Sequence, residues 1–218
     1  MTNVEKVATG GIRHSDFVID SSFVIRHSSF RISDAFTLVE LIVVITVIII
    51  LTGLVLSTVG YVQKKGARAR AETEIAAMSA ALESYKADNG IYPRDASTTD
   101  ALNSTNDGNP ADYLAACRYA YGEMTGDRDF DGSTDSGAKS YITLKPASLL
   151  RADMSQPPSS TNPVRAIRDP FGYSYGYSTR MAATGSGGYN PTFDIWSTCS
   201  LTTSPPSAAD QNQWIKNW

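Results

Sequence analysis

From Leu41 to Gln63 the chain runs twenty-three residues without a charge, and one carboxylate, Glu40, stands at the head of that run. As a helix rising about 1.5 Å per residue the run is ~34 Å long, enough to cross a hydrocarbon core of about 30 Å. A carboxylate at the edge of such a segment costs on the order of a few kcal/mol unless it is protonated, sits at the polar interface or meets a cation. These two facts constrain the fold first: the segment needs lipid or other apolar helices around it, and its acid needs a partner.

The helical pattern does not stop at the apolar run. Ala67, Ala71, Ile75, Met78, Leu82 and Tyr85 recur at spacings of three and four, which is one stripe of a 3.6-residue period. Arg68, Arg70, Glu72, Glu83 and Lys86 fall on other faces. Asn89-Gly90 is a stop signal and Pro93 bars an immediate restart. The spacing therefore predicts one helix from about Phe36 to Asp88, ~80 Å long at 1.5 Å per residue, whose second half needs a sheet to cover its stripe. Gly53, Gly60 and Gly66 interrupt it, each costing about 1 kcal/mol relative to Ala, and read as places where the helix loosens when it leaves a bilayer.

Ala35-Phe36-Thr37-Leu38-Val39-Glu40-Leu41-Ile42 resembles the cleavage and methylation signal of type IV prepilins and type II secretion pseudopilins. The resemblance implies that a dedicated peptidase cuts between Ala35 and Phe36 and methylates the new Phe36 amino group. The family usually carries Gly before the cut, and here Ala35 stands there. It also implies that the amino group of one copy's Phe36 meets Glu40 of a neighbour, so that assembly relieves two desolvation penalties together. Further along, residues 81–93 are similar to the helix end of type II secretion major pseudopilins. Asp169-Pro170-Phe171-Gly172-Tyr173-Ser174-Tyr175 is similar to that branch's Asp-Pro-Trp-Gly signature, Asp194-Ile195-Trp196-Ser197 to a strand of it, and Ile215-Lys216-Asn217-Trp218 to its ending.

The implied fold is α+β and pilin-like, one long N-terminal helix packed on a small antiparallel sheet. The expected organisation is a leader over 1–35, an assembly and membrane half of the helix over 36–63, an amphipathic half over 64–89, and a periplasmic globular domain over 90–218. Tyr173, Tyr175 and Tyr177 alternate as one face of a strand, and Phe193–Trp196 forms a second strand beside it. Residues 96–112 and 152–165, rich in Ser, Thr, Asn and Pro, read as surface loops. Lys64, Lys65, Arg68 and Arg70 follow the span while Arg26 and Arg31 precede it, a balance that places the C-terminal side in the cytoplasm. The resemblance places it outside, and being the more specific signal it is followed here.

Composition narrows the chemistry. The net charge of −3 is too small to argue for nucleic-acid binding. Both histidines, His14 and His27, lie in the leader, so the processed chain has no Ser-His-Asp or Cys-His catalysis and no His-ligated zinc. No enzyme motif is present in the remaining carboxylates and lysines. Cys117 and Cys199 either bridge, closing a loop of about eighty residues worth roughly 4 kcal/mol, or stay separate thiols; spacing does not decide.

The resemblance also implies calcium, held in the branch by an Asp- and Gly-rich loop before the terminal Trp. Here Asp210 is the only carboxylate of residues 198–212, with Asn212 and Trp214 where acids are expected. A hard cation takes six to eight oxygens, so the inherited site reads as degraded. Asp127, Asp129, Asp131 and Asp135 occupy positions one, three, five and nine of an EF-hand-like loop with Gly132 at six, but Ala138 stands at twelve and no helical pattern flanks the loop. The two readings are a second calcium site and a solvated turn.

Three functions follow from these residues. The first is a subunit that self-associates into a periplasmic pseudopilus driving type II protein secretion. It would be anchored as a single pass in the bacterial inner membrane before assembly and partnered by minor pseudopilins, the inner-membrane secretion platform, the prepilin peptidase and membrane lipid. The second is a type IV pilin for adhesion, motility or DNA uptake. The third, from another class, is a membrane-anchored calcium-dependent binding domain that does not polymerise, for which neither the cut nor Glu40 is needed.

Overall fold

The computed structural model describes residues 36–218; the expected leader over 1–35, with Ala35, His14 and His27, lies outside the described residues. Two compact units divide the chain between Ile50 and Leu51. In the first, the described residues are helical from Leu38 onward and none of their side chains is buried.

Helix α1 runs Leu38–Asn89, within two residues of the predicted bounds, and stops before Gly90. Its residues 38–62 present apolar side chains to the outside, Leu54 62% exposed and Leu56 69%, and the helix passes the length and hydropathy test for a membrane span. No neighbouring atom lies within 4 Å of a side chain built at Gly53, Gly60 or Gly66. From Ala71 the character changes. Ala71, Ile75, Met78 and Leu82 of the predicted stripe are buried, joined by Ala81 beside them, and the stripe's ends, Ala67 and Tyr85, are half-covered.

What covers the stripe is a mixed layer. Helix α2 (Leu114–Thr125) packs against strands β2 (Ala166–Ile167) and β3 (Gly176–Ser178). Strand β1 (Leu149–Leu150) pairs antiparallel with β2. A separate three-stranded antiparallel sheet has the order β3, β4 (Asp194–Ser197), β5 (Ile215–Lys216). Register sets Gly176 opposite Trp196, Tyr177 opposite Ile195 and Ser178 opposite Asp194. Two short helices, α3 (Arg180–Thr184) and α4 (Ala208–Gln211), lie in the connections. The fold is α+β and pilin-like: one long N-terminal helix, then small antiparallel sheets. The main core joins the α1 stripe to Tyr121 and Met124 of α2 and to Ile167, Tyr175, Tyr177 and Ile195. A second cluster gathers Leu102, Tyr113, Ala116, Trp196 and Trp214.

Four expectations need correction. Tyr173 does not share a face with Tyr175 and Tyr177; it is 37% exposed while they are 1%. Asp169 takes the Tyr173 N–H at 2.8 Å and the Phe171 N–H at 3.0 Å, so Tyr173 ends a turn and the strand begins after it. Helix α2 ends one residue before Gly126-Asp127, so a helix does flank the acidic loop on its N-terminal side. Residues 96–112 are not simply a surface loop, because Thr99, Leu102 and Ser104 are buried. They cross-tie the sheet: the Ser178 hydroxyl donates to Leu102 O at 2.6 Å and Ser104 to Asp194 Oδ2 at 2.5 Å. Likewise Asn162 and Val164 of the 152–165 segment are buried, since the Asn162 amide gathers the carbonyls around it.

Candidate functional site

The residues expected to direct cleavage and assembly that lie among the described residues, Phe36 and Glu40, sit at the start of α1. Phe36 is 79% exposed. Thr37 precedes the first helical residue, and its hydroxyl accepts the Glu40 N–H at 3.2 Å. Glu40 returns the contact: its Oε2 accepts the Thr37 N–H at 2.9 Å and the Thr37 hydroxyl at 2.8 Å. This reciprocal pair is a capping box, which satisfies two N–H groups that a helix start otherwise leaves open. The acid is therefore held in place by its own helix, and Oε1 has no hydrogen-bond partner among the described residues. Sequence reasoning singled out Glu40 for its charge but missed Thr37, although Thr followed three residues later by Glu ahead of an apolar run is the capping-box pattern.

The basic cluster after the span resolves into two kinds. Lys64 and Lys65 are exposed. Arg68 is half-buried against the globular part, and Arg70, itself exposed, reaches Ser148 Oγ at 3.5 Å. Arg68 Nη1 donates to Gln213 O at 2.7 Å and lies 3.4 Å from Cys199 Sγ. Arg70 pairs with Glu74 at 2.8 Å, and the Tyr175 hydroxyl donates to the other Glu74 oxygen at 2.7 Å. Burial, then this contact with an acid, holds the Tyr175 phenol far above its ordinary range.

Cys117 and Cys199 are both free thiols. Cys117 is buried, its Sγ accepting the Ile167 N–H at 3.2 Å, and burial pushes its thiol up to about 11. Cys199 is half-buried beside Arg68; burial raises its thiol and the guanidinium opposes that rise.

Of the acidic residues predicted to ligate a metal, the structure brings together Asp127, Asp129 and Asp135, whose oxygens lie within 4.8 Å of one another. Asp131 is spent otherwise, accepting the Ser133 N–H at 2.8 Å and hydroxyl at 2.5 Å, bonds that lower its pKa. Asp127 is buried and already accepts from the Tyr121 hydroxyl at 2.5 Å, Gly132 N–H at 2.8 Å and Asp131 N–H at 3.1 Å. Asp135 accepts the Arg128 N–H at 3.0 Å. Three carboxylates with this many prior bonds are a small part of the six to eight oxygens that calcium takes. Asp210 is not part of this group: its Oδ2 accepts from Thr203 and Ser207, bonds that lower its pKa.

The family described as type II secretion system protein G matches residues 59–127, roughly a third of the chain. The matched span takes in the end of the apolar run, the amphipathic part of α1 and all of α2; Glu40 and the Asp169 turn lie outside it. No curated protein and no solved structure matches the chain. A long helix that fits a single-pass anchor, a small antiparallel sheet and this match over residues 59–127 together support a pseudopilin-like family.

Proposed function

We propose that this chain is a structural subunit that polymerises through its N-terminal helix into a periplasmic pseudopilus driving type II protein secretion. Before assembly it is held in the bacterial inner membrane by residues 36–63, with its C-terminal domain in the periplasm. A dedicated peptidase cuts before Phe36 and methylates the new terminus. Minor subunits of the same kind and an inner-membrane platform are its partners. The family match supports the secretion-system reading, and the geometry of Glu40 is the observation that carries assembly.

Glu40 uses one carboxylate oxygen for its own helix cap and keeps the other free of partners among the described residues. A neighbour's cationic amino group can therefore be accepted at Oε1 without opening the helix start. In an apolar surrounding the isolated charge is costly, and pairing it removes the cost of both ions at once. Helix side chains such as Ile49 and Leu51, 66% and 57% exposed, then exchange lipid for the same helix of other copies.

Three variants separate the cap from the charge. Glu40→Gln keeps an oxygen for the Thr37 N–H, since Gln serves a capping box as Glu does, but it removes the charge. Thr37→Ala removes the cap, at about 0.5–2 kcal/mol, and leaves the charge. Glu40→Ala removes the charge and the carboxylate half of the box, leaving the Thr37 hydroxyl on the N–H of residue 40. Each is co-expressed with the peptidase, and processing, membrane insertion and recovery in sheared filaments are measured. Glu40→Gln and Glu40→Ala are expected to be cut and inserted yet absent from filaments, and Thr37→Ala to be incorporated. Incorporation of Glu40→Gln at the wild-type level would refute the charge-pairing reading.

A further inference from the structure

The C-terminal loop between β4 and β5 is where this chain departs most clearly from the branch it resembles. Its one carboxylate is already committed. Asp210 Oδ2 accepts the Thr203 hydroxyl at 2.9 Å, the Ser207 N–H at 3.1 Å and the Ser207 hydroxyl at 2.7 Å, while the Asp210 N–H returns to Ser207 Oγ at 3.1 Å. This is a capping box for α4. It shares Oδ2 among three protein donors, and one carboxylate falls far short of the six to eight oxygens that calcium takes. The residues do not fit the ion.

We infer that the loop is latched by an internal organic cation, the Arg68 guanidinium, in place of a metal. Arg68 Nη1 reaches both ends of the loop at once, donating to the Gln213 carbonyl near its close at 2.7 Å and lying 3.4 Å from Cys199 Sγ near its start. A guanidinium is always charged and carries five donors, so it fastens carbonyl oxygens much as a hard cation does, and its charge repels one. The loop's middle is fastened by other means. The Gln211 amide donates to Thr105 O at 3.0 Å and accepts the Tyr189 hydroxyl at 2.8 Å. Thr203 O sits where a side chain at residue 108 would be, so only Gly108 lets the two backbones meet. At the loop's end Trp214 stacks on Trp196, ring centres 6.1 Å apart. Because Arg68 belongs to α1, the latch ties the end of the chain to the helix that enters the filament.

The test is hydrogen–deuterium exchange on the full chain in detergent, read segment by segment, in EGTA and in millimolar calcium. Exchange over residues 198–214 is expected to be the same in both solutions. Arg68→Gln and Asp210→Ala are each expected to speed it about tenfold, the size of one lost hydrogen bond to a charged group, with residues 75–82 of α1 unchanged. Faster exchange of the wild-type loop in EGTA would overturn the inference, as would an Arg68→Gln loop exchanging at the wild-type rate. If Arg68→Gln also loosens residues 75–82, the Arg68→Gln loop itself, with Asp210 intact, is compared in EGTA and in calcium: rescue by calcium overturns the latch, and no rescue supports it. Calcium effects confined to residues 127–135 are resolved separately in the same data. Filament formation is not needed for this readout, so its outcome is independent of the assembly reading.

Discussion

Asp169 offers the sharpest test of how the globular part is held. Its Oδ1 accepts the Phe171 and Tyr173 N–H groups at 3.0 and 2.8 Å, and its Oδ2 accepts the Ser197 hydroxyl of β4 at 2.6 Å. One side chain thus shapes the turn before β3 and ties it to the neighbouring strand, and it is 3% exposed, so water does not replace it. In Asp169→Ala three donors lose their acceptor. At about 1 kcal/mol for each, the low end for buried groups because removing the carboxyl also relieves its desolvation, the loss is about 3 kcal/mol. For a domain of this size that lowers the melting midpoint by about 6–12 °C. Asp169→Asn keeps the oxygen for both N–H groups and forfeits at most the Ser197 contact, about 1 kcal/mol or about 2–4 °C. Burial is also the largest influence on the Asp169 carboxyl and raises its pKa above 3.8. The native state therefore holds this proton more tightly than the unfolded one. Its contribution is fully present below pH 3.8 and is lost as pH rises through the raised native value; Asn removes that slope. Thermal unfolding of the full chain in detergent, followed by near-ultraviolet circular dichroism across pH, measures all three quantities. Equal losses for Ala and Asn, or an Asn variant that keeps the wild-type pH slope in that window, would refute the reasoning.

Three further outcomes follow. Tyr175→Phe leaves Glu74 without its phenol donor at 2.7 Å and is expected to cost about 1.5–3 kcal/mol, seen as a lower midpoint in the same melts; no change would mean that Arg70 alone satisfies Glu74. Gly176→Ala puts a Cβ into the Trp196 indole across the strand pair, and overpacking of this kind is expected to cost about 1–3 kcal/mol, with a shift in tryptophan fluorescence as the local check. In native protein a maleimide is expected to label Cys199 before Cys117, which is buried and whose thiol burial pushes up to about 11; equal rates without denaturant would contradict the packing of α2 on β2.

Much of the helix was legible because it obeys local rules. A charge-free run, a stripe at spacings of three and four, and an Asn-Gly stop define α1 with little help from the rest of the chain. The sheet was legible in part. Tyr175 and Tyr177 lie in the core as their alternation implied, while Tyr173 escaped because a side-chain-to-backbone bond from Asp169 set where the strand starts. Helix α2 and the 96–112 segment were not legible, for a different reason. Residues 96–112 are mostly Ala, Ser, Thr and Asn, and half of α2 is Ala, Tyr and Thr, so their partners, not their own periodicity, make them buried. The candidate site divides the same way: the charge of Glu40 was plain, and its cap was readable from Thr37 but overlooked.

By itself the sequence determined one long helix, apolar around its first part and with an acid at its head, which the structure bounds at Leu38–Asn89, because periodicity and transfer free energy act on neighbours a few residues apart. Tertiary structure alone decided which polar groups are free to act. It placed Asp169 against Ser197, committed Asp210 to its own loop, and set Arg68 beside Gln213, 145 residues away. Such pairings depend on where the chain returns in space, and no local pattern records that.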